Sequence, residues 1–300
     1  MDKNINLPNL LIVGAAKCGT TSLHNYLKQH PDIFMSEHKE PHFLINSEIG
    51  KDRIHKAVND LEDYENLFKT DIIYKYKGES SVMYLAFPEF SINNIKKYLD
   101  SDVKIIIMLR NPIERAFAGY LHNLRYNPSE NLSFEEAFEK SELRYHQEMN
   151  ITPDTRYLHV GNYYSQVESF MSAFNDNVLV IMYEDYVKDI DLCLSNVFDF
   201  LAIDKISIDT SKRHMVGGWV FKSKFLRNLL IPQNNFKSLV KTILPNKRLR
   251  KSFKKKLMNI STVENPSISK EMHLKLIEYY RKDIGSLSKL LKIDLKYWIN

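Results

Sequence analysis

The feature that most constrains the fold of this chain is the stretch LLIVGAAKCGTTSLHNYL, Leu10 to Leu27. An unbroken apolar run ends at Gly14, and helical spacing begins near Thr20 and persists until Pro31. A run of that kind reads as a strand buried in a parallel sheet. Between strand and helix lies a glycine-containing turn, which gathers backbone N–H groups at the positive end of a helix and so binds an anion. The turn is not the nucleotide-triphosphate loop G-x-x-x-x-G-K-[ST], which counted from Gly14 would put lysine at position 20. Thr20 stands there, and the loop's only lysine is Lys17. The hydroxyls of Thr20, Thr21 and Ser22 add donors for the oxygens of the anion.

The pattern repeats along the chain. DIFM, YKGES, VKIIIMLR and NVLVIMYE read as strands, with helical segments between them. Asn111 is placed to cap a helix with Pro112 in its first turn, and Ile113, Ala116, Phe117, Tyr120, Leu121 and Leu124 form one apolar stripe on it. The expected fold is α/β: a single domain with a central parallel β-sheet flanked by helices on both faces. Its core spans about residues 8–205, followed by a basic helical segment over about 206–262 and a closing pair of amphipathic helices over about 263–300.

Composition narrows the class. In 300 residues no apolar run approaches the ~20 needed to cross a bilayer. The opening residues MDKNINLPN lack the apolar region of a secretory signal, which points to the cytoplasm. Cys18 and Cys193 are the only cysteines, too few for a disulfide framework or a cysteine-based zinc site. The net charge of +5 is unevenly spread: residues 211–263 contain no Asp or Glu, while Lys212 to Lys256 holds fourteen Lys or Arg. That segment reads as a docking surface for an acidic acceptor or an anionic membrane, against the plainer reading of a solvated basic face. A nucleic-acid partner is not expected.

At this point a resemblance carries further. LIVGAAKCGTTSLHNYL resembles the phosphosulfate loop of sulfotransferases that use 3′-phosphoadenosine 5′-phosphosulfate (PAPS), whose lysine stands two residues before the glycine. KEPHFL, GESSVMYL, LRNPIERAFAGYLHN and YRKDIGSLSKLLKIDLKYW resemble, in order, four further segments of the carbohydrate O-sulfotransferases, of the heparan-sulfate and bacterial type. The resemblance implies a P-loop, nucleotide-kinase-like sulfotransferase architecture and transfer of a sulfuryl group from PAPS to a sugar hydroxyl without a metal. It implies Lys17 on the leaving phosphate and Glu40 as general base, with His42 the second candidate. Pro41 is expected to hold Glu40 extended. The donor is expected on Lys17, Cys18, Gly19, Thr20, Thr21, Ser22, Arg110 and position 118, with Arg110 on the 3′-phosphate. Lys39, Glu79 and Ser80 are the expected acceptor contacts.

The chain departs from the family pattern at Ala118, where a serine normally meets the 3′-phosphate; His122 and Asn123 are the candidate replacements. It also has Val82 in place of a proline, and Ser80 where some relatives carry a lysine. KRHMVGGWVFK, Lys212 to Lys222, is the local candidate for a second nucleotide-gripping loop. Two competing readings stand beside this one. Glu184 and Asp185, ending a strand, are placed to serve as the acidic pair of a metal-dependent P-loop kinase, or simply to start a helix. The basic segment alone would suit a non-catalytic binder of polyanions or anionic membrane.

Overall fold

The computed structural model describes residues 6–50, 53–127, 129–148, 151–212, 218–230 and 260–299. Five strands, β1 (Leu10–Gly14), β2 (Ile33–Met35), β3 (Tyr76–Ser80), β4 (Lys104–Leu109) and β5 (Val178–Met182), form one sheet in the order β2-β3-β1-β4-β5. All four pairings are parallel. Leu10, Leu11, Ile12 and Val13 have no exposed surface, as an apolar run without alternation requires of a central strand. After β1 the chain crosses to the β2 edge, and after β4 it crosses to the β5 edge. The carboxyl ends of β1 and β4 are therefore a topological switch point, where ligands of open α/β sheets bind.

Two local devices open that point. The β1–β4 register shifts between Ile12 and Gly14, turning the chain out of the sheet. At Gly14 a Cβ would lie 2.7 Å from Leu85 Cβ and 2.9 Å from the Val82 carbonyl oxygen, so the turn passes only if the residue has no side chain. Beyond β4, Asn111 Oδ1 accepts the Ile113 N–H at 3.0 Å and Pro112 fills the first turn of the helix Pro112–Tyr126, as its sequence predicts. Ile113, Ala116, Tyr120 and Leu121 are buried on its expected stripe, but Arg115, Asn123 and Arg125 are buried as well. This helix is enclosed on more than one side.

The last third of the chain differs from expectation. Residues 203–212 run without helix. They are pinned across the first helix, Thr20–Leu27, by bonds from Tyr26 Oη to the Thr210 and Lys212 carbonyls at 3.2 Å. β6 (Trp219–Phe221) and β7 (Thr262–Glu264) then pair antiparallel, beside a short helix Lys224–Leu230. The expected closing pair is one helix, Lys270–Leu291. Its buried residues Met272, Leu276, Tyr280, Ile284 and Leu287 keep three- and four-residue spacing through Gly285, whose missing side chain faces open space. Residues 213–217 and 231–259 lie outside the described residues, and with them most of the expected membrane-docking segment.

Candidate active site

A cleft of about 750 Å3 opens at the switch point. Its floor is the turn after β1, represented by Ala16, Lys17, Gly19, Thr20, Thr21 and Ser22. Gly19 has φ 88° and caps the helix Thr20–Leu27, a left-handed position that glycine takes at no steric cost. The first amides of that helix have no intrahelical acceptor, and they meet the cleft with the positive end of the helix dipole behind them. Cys18 is different. Its side chain is wholly buried with Sγ 3.8 Å from Tyr163 Oη, its N–H donates to the Ala15 carbonyl at 3.3 Å, and it does not line the cleft, so the donor contact expected of Cys18 is not seen.

Lys17 is the cation of the floor. It has φ 71°, a conformation uncommon outside glycine, and its Nζ lies 3.3 Å from His122 Nδ1. Burial, with the neighbouring Arg125 guanidinium, lowers the Lys17 pKa to about 8, against a smaller upward pull from Glu40. Burial and the same two cations lower His122 to about 4. At neutral pH the imidazole is therefore uncharged, and the ammonium donates to it. A protonated lysine whose partner is a neutral ring keeps its charge for an incoming anion.

Glu40 faces the same space from the loop after β2. Its backbone is not extended: φ is 64°, and His42 follows at 52°. Tertiary contacts override the preference imposed by Pro41, because the Glu40 N–H donates to the Ser80 carbonyl at 3.0 Å and its carboxylate is held at both oxygens. Lys39 Nζ bonds Oε1, and His42 Nε2 stands 3.5 Å from Oε2. Burial pushes the Glu40 pKa up, but the His42 hydrogen bond and the Lys39 charge outweigh it and hold the carboxyl well below the usual range. The side chain keeps 39% of its surface open. His42 lines the cleft but is itself nearly buried, with Nδ1 lacking a partner among the described residues.

The opposite end of the cleft belongs to β4 and β5. Arg110 donates from Nε and NH2 to Glu114 Oε2 at 3.2 and 2.7 Å, with its guanidinium carbon 4.9 Å from the Tyr183 ring centre. Glu114, Ala118 and His122 follow at four-residue spacing on one face of the helix Pro112–Tyr126, and all line the cleft. His122 is thus turned to Lys17. Asn123 is buried and bonds Tyr157 Oη at 3.2 Å, so it does not replace the serine missing at position 118.

Not every expected contact is here. Glu79 and Ser80 have no exposed surface and do not line the cleft. Glu79 accepts hydrogen bonds from Tyr64, Ser81 and Tyr84, and Ser80 Oγ pairs with His24 Nδ1 at 2.8 Å. Lys39 is spent on Glu40. Glu184 accepts the Asn111 N–H at 3.0 Å in the first turn of the helix Tyr183–Lys188, and neither it nor Asp185 lines the cleft. Sequence reasoning missed Tyr183, Arg125 and Asp154 on the cleft walls. Arg125 was within reach of helical spacing, lying three residues beyond His122. Asp154 follows no periodicity and reaches the cleft only through the fold of its loop.

Comparison with known proteins agrees with this geometry. Residues 7–259 match the family described as the sulfotransferase domain. Human carbohydrate sulfotransferase 15 is 26% identical over 251 aligned residues, which cover 67% of this chain and 45% of that protein. Mouse heparan sulfate glucosamine 3-O-sulfotransferase 3B1 is 26% identical over 204 residues, covering 68% and 48%. The chain thus spans under half the length of these two relatives. The crystal structure of a sulfotransferase from Alicyclobacillus acidocaldarius superposes with a TM-score of 0.72 at 28% identity, over 98% of this chain and 99% of that one. On the extent of the family match and the likeness of the whole fold, the chain belongs to the sulfotransferase family.

Proposed function

We propose that the chain transfers a sulfuryl group from PAPS to a hydroxyl of a carbohydrate acceptor. The observation that carries this reading is the facing pair at the switch point: a buried ammonium on a helix-capping turn and a cleft-facing carboxylate held ionised. The residues suit the donor. Lys17 and the first amides of Thr20–Leu27 fit the 5′-phosphosulfate, Arg110 fits the 3′-phosphate, and the Tyr183 ring offers a planar wall for the base. Bound there, PAPS supplies a sulfuryl group already activated by a phosphate leaving group.

The chain's own part is positioning and charge. Glu40 takes the proton of the acceptor hydroxyl as the new sulfur–oxygen bond forms, a role typically contributing ~10²–10⁴-fold. Lys17 stabilises the negative charge that builds on the departing phosphate oxygen, an interaction stronger in the transition state than before it. The low pKa of Glu40 makes it a weak base until the acceptor enters. An acceptor hydroxyl that displaces Lys39 or His42 removes what depresses it.

The sugar acceptor rests on the carbohydrate-active relatives and on the polar wall of Glu40, Arg125 and Asp154. Incubation with radiolabelled PAPS and a panel of glycans is expected to give labelled product, lost by at least ~100-fold in Lys17→Ala and Glu40→Gln. Labelled product surviving in Lys17→Ala would refute the mechanism. ATP-dependent activity abolished by EDTA would favour a kinase instead.

The edge beside the cleft supports a second element of the reading, docking on anionic membrane from the cytoplasmic side. Phe225 is 75% exposed directly after the exposed Lys222 and Lys224, and among the described residues no helix is long and apolar enough to cross a bilayer. Co-sedimentation with phosphatidylserine vesicles is expected at low salt, to fall as salt is raised, and to weaken in Phe225→Ser. Salt-independent or absent sedimentation would remove this element and leave the enzymatic reading intact.

A further inference from the structure

Glu79 is a conspicuous group without a part in the chemistry above. It is a carboxylate in the middle of the core, on β3 beside Leu11, with no exposed surface. A buried charge is costly unless its bonds are filled, and burial pushes this carboxyl's pKa up against the pull of three hydroxyls. An apolar side chain would fill the space at lower cost.

We propose that Glu79 is a positioning residue for Glu40, fixing the hydroxyl hydrogens of Ser81 and Tyr84 so that both oxygens turn lone pairs toward the backbone of the Glu40 loop. The proposal rests on Glu40 being the base. Each hydroxyl has one hydrogen to give. Ser81 Oγ gives its hydrogen to Glu79 Oε2 at 2.7 Å, and Tyr84 Oη gives its own to Oε1 at 2.7 Å. With those hydrogens committed, Ser81 Oγ accepts the His42 N–H at 3.0 Å and Tyr84 Oη accepts the Leu44 N–H at 3.3 Å. Together with the bond from the Glu40 N–H to the Ser80 carbonyl, three amides hang the loop on the end of β3, and two of the three depend on Glu79.

The loop needs such anchoring. Glu40 and His42 are both left-handed, at φ 64° and 52°, a conformation uncommon outside glycine. Pro41 between them has no N–H to contribute. The His42 backbone also sets where its ring stands, and that ring is the partner of Glu40 Oε2. Movement of the His42 amide therefore carries the carboxylate away from the acceptor.

The substitution Glu79→Gln is nearly isosteric and tests the hydrogen direction. The amide offers one oxygen and one NH2, so one side of the network meets a donor and its hydroxyl must turn its lone pair inward. That hydroxyl then points its hydrogen at a loop amide. With PAPS and a glycan on which the parent turns over, Glu79→Gln and Ser81→Ala are each expected to lower kcat about 10- to 100-fold. Affinity for 3′-phosphoadenosine 5′-phosphate, read by calorimetry, is expected to stay within about twofold, because the donor turn hangs on β1. Tyr64→Phe serves as the control: Tyr64 also donates to Glu79, at 2.9 Å, but holds no amide of the loop, so kcat should persist even where stability drops.

Parental kcat in Ser81→Ala, with the nucleotide still bound, would overturn the proposal, as would an equal loss in Tyr64→Phe. Ser81→Ala decides the matter if Glu79→Gln fails to fold. Full activity in Glu40→Gln would instead sink the assignment of the base, so the two failures are distinguishable.

Discussion

Burial works against the Lys17 charge, and an anion entering the cleft would offset that cost. Burial and Arg125 bring the Lys17 pKa to about 8, and a bound phosphate or sulfate would favour the protonated form and move it back up. Below pH 8 the ammonium is already present; above it, binding must draw a proton from solution. Affinity for 3′-phosphoadenosine 5′-phosphate should therefore weaken as pH rises from 8 toward 10, by up to about tenfold per unit. Calorimetry at pH 8.5 in buffers of different ionisation enthalpy should report uptake of most of a proton, since the nucleotide's own phosphates, with second pKa values of about 6, have finished titrating. Affinity flat across that range, or no buffer dependence, would show that Lys17 does not meet the anion. Lys17, Glu40 and Arg110 were legible as cleft residues because each sits at a fixed offset from a strand end or a proline. Glu79 was misassigned to the acceptor because an acidic residue after a strand looks the same from sequence whether its hydrogen-bond partners are sugar hydroxyls or those of Tyr64, Ser81 and Tyr84.

Elements were readable where burial dictates a period. β1, β4 and the helix Pro112–Tyr126 lie close to where their apolar runs and caps predict them. The expected closing pair is a single helix, Lys270–Leu291, that runs through Gly285 at a cost of roughly 0.8–1.0 kcal/mol relative to alanine in a helix interior. That cost is small beside the apolar stripe continuing on both sides of it. Residues 206–212 were expected to be helical, but the stretch 203–212 is pinned by partners distant in sequence: His30 to the Asp204 carbonyl, Gln29 to Asp209 and Tyr26 to Thr210. No local pattern encodes such contacts. The extended backbone expected of Glu40 failed for the same reason. A local rule about prolines was outweighed by an amide bond to β3 and by the Lys39 and His42 side chains held against the two carboxylate oxygens.

Across the whole molecule, the wall of the cleft is fastened by the far end of the chain. The segment carrying Asp154 continues to Tyr157 and Leu158, whose carbonyls accept from Tyr280 Oη at 3.2 and 3.1 Å. Asp283 accepts the N–H groups of Tyr163 and Tyr164 at 2.9 and 3.1 Å, capping the helix Tyr163–Phe174 from outside it. Asn111, at the head of the helix that carries Ala118 and His122, donates to the Trp298 carbonyl at 3.0 Å. The helix Lys270–Leu291 lies beyond the stretch that matches the family, yet Met272, Leu276, Tyr280, Ile284, Leu287, Leu295 and Trp298 are buried in the main core. At about 1.5–3 kcal/mol for each large apolar side chain, their burial is worth more than about 10 kcal/mol. Domains are stable by only about 5–15 kcal/mol in total. A chain ending after Ile268 should therefore lack a cooperative melting transition by circular dichroism and fail to bind 3′-phosphoadenosine 5′-phosphate, although every proposed donor contact is still encoded. A truncated chain that melts cooperatively and keeps the nucleotide would show that the closing helix merely covers a core already stable without it.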